Sequence, residues 1–153
     1  HDVTRGHTRS HEVTRDQTRP TQVSAADAGD EGVAEGLAEC RAAVRLAVER
    51  AEGVTGELTR AEADQRMALS NAHEYLTLMG HTCVGWMWLR SATAAAKGLR
   101  RLGRGAADEE SFYRGKLHTA LFFVRHELPR TEVMANLLRR RDPTVDSMQP
   151  GWF

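Results

Sequence analysis

The sequence has no surplus of charge of either sign. Its 21 Lys and Arg residues balance 21 Asp and Glu residues, so the formal net charge at pH 7 is zero. Without a net field, nothing draws the whole molecule toward nucleic acid or an anionic membrane. We therefore expect no nucleic-acid partner.

The chain also lacks an apolar run of membrane-spanning length. The stretch YLTLMGHTCVGWMWL, residues 75–89, is uncharged apart from His81 and is bounded by Glu74 and Arg90. Fifteen residues fall short of the roughly 20 that a spanning helix needs. Residues 1–30 contain no apolar run that would mark a signal peptide. The sequence predicts a cytoplasmic protein with no membrane span.

Cysteine is scarce. Cys40 and Cys83 both fall in helical patterns, far apart along the chain. We interpret them as two small buried residues in a reducing compartment rather than as a disulfide.

The motifs of common active sites are missing as well. No glycine-rich phosphate loop, CxxC pair, HExxH or GxSxG is present. His118 and His126 share one helical face and could serve a small helical enzyme, but no nucleophile accompanies them. His7 and His11 have a metal-ligand spacing in a threonine-rich segment that disfavours the required helix. The prediction is no catalytic, cofactor-binding or metal-binding residue.

The first twenty residues are a tandem repeat, HDVTRGHTRS followed by HEVTRDQTRP. Such polar sequence cannot bury enough apolar surface to order itself. We predict a disordered leader at residues 1–26 and a helical domain at residues 27–153. Because the chain begins with His1 rather than Met, we expect a piece of a longer product or a junction artefact.

Apolar spacing after the leader predicts an all-α fold, an antiparallel bundle of three long helices plus a short fourth helix. The first helix should begin near Asp27–Asp30. The second is expected to run from a cap at Thr59, paired with Glu62, to about Leu102. A heptad seam marks the first helix: Val33, Leu37, Cys40, Val44, Ala47, Ala51, Val54 and Leu58.

Two apolar series mark the second helix. One comprises Leu69, Ala72, Leu76, Met79, Cys83 and Trp86, and the other comprises Leu78, Gly85, Leu89, Ala92, Ala96 and Leu99. Together they predict a helix that is buried on a broad face.

The third helix should start at Asp108 or Ser111 and kink at Pro129. Its predicted inner stripe is Phe112, Leu117, Ala120, Leu121, Val124 and Leu128, widened by Tyr113, Phe122 and Phe123. A short fourth helix should carry residues 133–138, before an extended tail, VDSMQPGWF.

The consecutive residues Trp86, Met87 and Trp88 indicate a second surface. Neighbours on a helix point about 100° apart, so these three side chains cannot all face one small core. The sequence therefore predicts a helical core together with a docking face.

Three motifs in this order, YLTLMGHTCVGWMWLR, SFYRGKLHTALFFVRHELP and the terminal MQPGWF, resemble the C-terminal domain of a subgroup of bacterial acyl-CoA dehydrogenases. That subgroup includes the 3-methylmercaptopropionyl-CoA dehydrogenases, and the similarity covers about residues 33–153. The most telling positions are Tyr75, Leu76, Gly80, Gly85, Trp88, Leu89, Phe112, Tyr113, Lys116, Leu117, Phe123, Leu128, Pro129, Met148, Gln149, Pro150, Trp152 and Phe153.

The resemblance implies a structural role. In such enzymes the FAD site and the catalytic glutamate lie in the dehydrogenase body, which removes an α-proton from an acyl-CoA while hydride passes to flavin. This chain is then a non-catalytic fragment that packs against that body or a neighbouring subunit of a homo-oligomer. The docking residues we predict are Trp86, Trp88, Phe122, Trp152 and Phe153, with Arg114 and Lys116 toward an acidic partner. The alternative is a free-standing helical dimerisation or interaction module.

Overall fold

The computed structural model describes residues 25–60, 65–102 and 106–152. These residues form five α-helices: α1 (Ala25–Leu58), α2 (Gln65–Ser70), α3 (Ala72–Arg101), α4 (Ala107–Phe122) and α5 (Arg130–Arg140). A π turn (Phe123–Glu127) follows α4, and a 3-10 helix (Pro150–Trp152) lies in the tail. No strand occurs within these ranges. The all-α prediction is confirmed, whereas residues 1–24 of the predicted leader lie outside the described part of the chain.

The heptad seam of α1 is its buried face, as predicted. Its six middle positions are buried, and Val33 and Leu58 at its ends are half-buried against different groups of buried residues. The first helix begins a little earlier than expected, at Ala25. The intrinsic helix propensity of this sequence is lowered by its glycines. The helix is therefore stabilised mainly by the burial of its regularly spaced apolar side chains.

The second predicted helix is interrupted at Asn71, which separates α2 from α3. Asparagine competes for backbone hydrogen bonds and favours helix starts over helix interiors. The backbone carbonyl of Asn71 accepts hydrogen bonds from the N–H groups of Glu74 and Tyr75 at 3.1 and 3.2 Å, and its side chain makes no capping hydrogen bond. The predicted capping box of Thr59 and Glu62 stays a prediction, because Glu62 lies outside the described residues. The Thr59 hydroxyl donates to the Thr55 carbonyl at 2.7 Å.

The two apolar series that we assigned to the second helix differ in their exposure to solvent. The series that begins at Leu78 lies on the side of α3 that packs against the core. In the other series Met79 is half-buried, whereas Leu76, Cys83 and Trp86 are exposed. The prediction that both series are buried is therefore wrong, as is the burial of Cys83. The physical reason is that α1, α4 and α5 all contact α3 but cover only part of its circumference.

The end of α4 departs from regular geometry where Pro129 approaches. Proline lacks the backbone donor of a continuing helix. The chain widens into the π turn, in which the Leu128 N–H donates to the Phe123 carbonyl at 2.9 Å, and α5 begins directly afterwards. This confirms the predicted restart. Phe112, expected on the inner stripe, is instead 59% exposed.

We predicted an extended tail, but only part of the tail is extended. Turns occupy residues 144–147 before the 3-10 helix. The guanidinium of Arg66 on α2 pairs with the Asp146 carboxylate in those turns. The hydroxyl and the backbone N–H of Thr144 both donate to the Asp142 carboxylate, and these two hydrogen bonds lower the pKa of that carboxyl.

Two buried clusters make up the core. The larger joins α1, α3, α4 and the π turn around Ala47, Ala92 and Ala120. The smaller joins the end of α1, the start of α3, and α5 around Val54, Leu78 and Ala135. Alanine at these contacts allows close helix packing, which leaves the larger aromatic side chains of α3 and α4 near the rim.

Candidate docking surface

The outward face of α3 is apolar over three turns. Leu76 is 71% exposed, Met87 51% and Val84 44%, and Gly80 and Cys83 lie exposed between them. No charged side chain occurs on α3 between Glu74 and Arg90. Exposed apolar surface of this continuity is typical of a site that another molecule covers.

Trp86 and Trp88 lie on opposite sides of this face, because side chains two positions apart on a helix point about 200° away from each other. Trp86 is 50% exposed, and the Arg90 guanidinium carbon lies 5.0 Å from its ring centroid. Trp88 is half-buried against the larger core cluster. The Lys116 ammonium lies 5.9 Å from the Trp88 ring and 5.2 Å from the Phe112 ring.

These contacts are cation–π interactions, which hold the aromatic rings in place while keeping the charges in water. Among them, the contact between Lys116 and Trp88 links α4 to α3. Lys116 is therefore engaged with aromatic rings, and Arg114, the second predicted cation, forms an ion pair with Glu110 at 2.7 Å.

The other predicted docking residues lie apart from α3. Phe122, the last residue of α4, is 56% exposed and stacks on the His126 ring at 4.8 Å between centroids. Trp152 is 68% exposed in the 3-10 helix, and Phe153 lies outside the described residues. Within the described part of the chain, none of these aromatic rings stacks on either α3 tryptophan. Their shared docking role stays a prediction.

A polar cluster surrounds the π turn, and the sequence analysis missed it. The His81 ring has Nδ1 3.0 Å from the Thr77 carbonyl and Nε2 3.9 Å from the Glu127 carboxylate. Arg130 pairs with the same carboxylate at 3.3 Å. The helix break expected at Pro129 could have drawn attention to Glu127. The π turn that places Glu127 beside His81, however, cannot be predicted from the spacing of apolar residues.

The histidines that the sequence analysis considered as acid–base or metal-binding candidates lie at the surface or outside the described residues. His118 and His126 are exposed, and no group of three His, Cys, Asp or Glu side chains is placed to hold a metal ion in the described ranges. Every buried side-chain polar atom described has a hydrogen-bond partner. His7 and His11 lie outside those ranges.

Two clefts occur beside α4. One, of about 310 Å³, lies between α1 and α4 and is lined by Gly32, Gly36, Arg114 and His118 among others. The other, of about 350 Å³, lies where α3 ends and is lined by Lys97, Arg101, Glu109 and Tyr113 among others. Both are open to solvent.

Of the helices that the structure describes, none combines the length and the apolar character that crossing a bilayer requires.

Comparison with known proteins adds one finding. A family model described as acetyl-CoA dehydrogenase C-terminal like matches residues 17–149. No curated protein and no solved structure matches the chain significantly.

Proposed function

Because this chain belongs to the acyl-CoA dehydrogenase C-terminal family, we propose that it is the C-terminal helical domain, as a fragment, of an FAD-dependent acyl-CoA dehydrogenase. Its role is structural: it docks on the dehydrogenase body or on a neighbouring subunit. The observation that carries this proposal is the uncharged outward face of α3, where Leu76, Trp86 and Met87 are all at least half exposed.

Chemistry in this proposal belongs to the rest of the enzyme. When bound there, FAD accepts the hydride that an acyl-CoA loses during oxidation. The residues described in this chain contribute packing surface, and Arg50, Arg125 and Arg139 are each engaged in an ion pair with a glutamate.

Several finer features are part of the same proposal. The motifs around Gly80, Lys116 and Pro150 support the 3-methylmercaptopropionyl-CoA dehydrogenase-like subgroup. We also infer an antiparallel bundle, because Thr55 near the end of α1 bonds Tyr75 near the start of α3 at 2.9 Å. We further propose that the parent enzyme is a homo-oligomer that acts in fatty acid metabolism in the cytoplasm.

The test is assembly with a dehydrogenase body. The full chain is co-expressed with a body of that subgroup whose own C-terminal domain has been deleted, and the complex is measured by size-exclusion chromatography. We expect co-elution, which Trp86→Ala combined with Phe122→Ala should weaken. Leu46→Ala combined with Val133→Ala is the matched control, because these side chains are also exposed but lie on α1 and α5.

Two results would contradict the proposal. The chain and the body could elute separately under all conditions. Alternatively, the chain alone could form a discrete dimer with no affinity for the body, which would favour the free-standing interaction module.

A further inference from the structure

One stripe of α3 faces solvent along almost the whole helix, and we refer to it as the outer stripe. Its positions alternate in steps of four and three, the spacing with which one helix packs along another in a coiled coil. All eight positions are exposed. They are Leu76, Gly80, Cys83, Met87, Arg90, Ala94, Lys97 and Arg101.

The outer stripe changes character at its middle. The half from Leu76 to Met87 is apolar or small, and the half from Arg90 to Arg101 carries three cations and no carboxylate. A Cβ at Gly80 would meet no atom within 4 Å, so this half has room for a close neighbour. The two kinds of surface follow one another along the helix axis.

The cations of the basic half have no carboxylate partner among the residues that the structure describes. Elsewhere in the described chain, Arg50, Arg125 and Arg139 each form an ion pair of 3.2 Å or less with a glutamate. Arg90 instead lies over the Trp86 ring, and Lys97 and Arg101 take part in none of the ion pairs among the described residues. Glu109 lines the same cleft as these two side chains without pairing with either.

We propose that the outer stripe binds an amphipathic α-helix of a partner protein. That helix carries apolar residues at heptad spacing opposite Leu76–Met87 and carboxylates opposite Arg90–Arg101. The heptad spacing selects a helix, the exposed apolar half supplies hydrophobic burial, and the unpaired cations select the acidic residues. The inference rests on the proposed docking role, in which the dehydrogenase body or a neighbouring subunit supplies this helix.

Other occupants fit the outer stripe less well. Nucleic acid would leave the apolar half uncovered. A bilayer surface separates its apolar and charged layers by depth, which requires apolar and basic residues on opposite sides of a helix rather than at opposite ends. A second copy of the chain packed in parallel would place each basic half against its counterpart, and an antiparallel copy would match the apolar halves alone.

The probe is a pair of designed peptides of about 26 residues, sized to cover the eight positions. One has leucine at heptad positions in its N-terminal half and glutamate at those positions in its C-terminal half, and the other has the halves exchanged, so that both helix directions are sampled. A third peptide replaces glutamate by lysine. Binding of each labelled peptide to the full chain is measured by fluorescence anisotropy.

We expect one leucine–glutamate peptide to bind and the lysine peptide to bind at least about tenfold more weakly. Lys97→Glu combined with Arg101→Glu should reverse that preference. Arg41→Glu combined with Arg60→Glu is the matched control, since it makes the same charge change at exposed positions outside the outer stripe and should leave the preference intact. Met87→Glu should abolish binding, and circular dichroism checks that each variant is folded.

Cys83 provides an independent readout because it lies within the apolar half and is exposed, whereas Cys40 is buried. Bound peptide should slow the alkylation of Cys83 by iodoacetamide. The inference would be overturned if neither glutamate peptide bound. It would also be overturned if the affinity were the same for the lysine peptide or for the Lys97→Glu, Arg101→Glu variant. Stronger binding to phosphatidylglycerol vesicles, or protection of Cys83 by self-association without peptide, would overturn it as well. If the peptides fail while the chain still assembles with the dehydrogenase body, this inference is wrong and the proposed function stands.

Discussion

The Tyr113 ring of α4 lies directly on Gly98 of α3, so that a Cβ at Gly98 would lie 2.5 Å from the ring carbon Cζ and 2.6 Å from Cε1. Carbon atoms that are not covalently linked do not approach each other that closely. The glycine is therefore what lets α4 approach α3 at this point.

Gly98→Ala should destabilise the fold by about 1 kcal/mol. Displacing the Tyr113 ring costs about 1–3 kcal/mol, which exceeds the gain of about 1 kcal/mol from replacing glycine by alanine within a helix. Gly80→Ala is the matched control on the same helix, because a Cβ there meets no atom within 4 Å, and it should be stabilising. Urea unfolding of both variants measures the difference, and equal stabilities would contradict the packing argument.

Thr131→Val should cost about 1–2 kcal/mol, because it leaves buried polar groups with fewer partners. The Thr131 hydroxyl is fully buried, donates to the Leu128 carbonyl at 2.7 Å and accepts from the Arg50 guanidinium at 3.3 Å. Thr131→Ser retains both bonds and should lose less. Thr119→Val removes a similar bond at an exposed position and should be nearly neutral, a contrast that thermal unfolding would test.

The Glu39–Arg125 pair should make stability depend on pH. Arg125 donates to both Glu39 oxygens, at 2.7 and 2.6 Å, and these hydrogen bonds lower the pKa of the Glu39 carboxyl. A carboxyl whose pKa is lower in the folded than in the unfolded chain stabilises the fold above its unfolded pKa, and this contribution disappears as the pH falls through its folded pKa. Glu39→Gln should therefore lower Tm slightly at pH 7, and this difference should shrink as the pH falls below about 4.3, the pKa of an unperturbed glutamate.

The control for that experiment is Glu35→Gln, on the same helix, which removes an exposed carboxylate that forms no ion pair with the described residues. Its Tm difference from the original chain should not follow the same pH course. A Tm difference for Glu39→Gln that persists unchanged at low pH would argue against the ion pair.

The two thiols should differ sharply in reactivity. Cys83 is exposed, whereas Cys40 is 1% exposed, and its burial together with the adjacent Glu39 charge raises the pKa of its thiol. Reaction with Ellman's reagent should modify Cys83 rapidly in the folded chain and Cys40 only after denaturation. Cys83→Ser removes the fast phase, and a fast phase that survives this change would show that Cys40 is accessible.

The sequence by itself determined the all-α class, the buried seam of α1 and the break at Pro129, because these depend on local periodicity and backbone chemistry. It also identified the stretch that holds Trp86 and Trp88 as both core and surface. Which apolar series of α3 faces outward was decided only by the tertiary structure. Both series have helical spacing, and the one through Cys83 stays exposed because α1, α4 and α5 pack against the other side of α3.

The same reason explains the other differences. Phe112 has the spacing of an inner residue but lies at the rim, beside Lys116, and the contact between His81 and Glu127 depends on a π turn whose extra residue changes the helical register. Periodicity fixes which residues share one face of a helix. Only the packing of the other helices determines whether that face is buried or left for a partner.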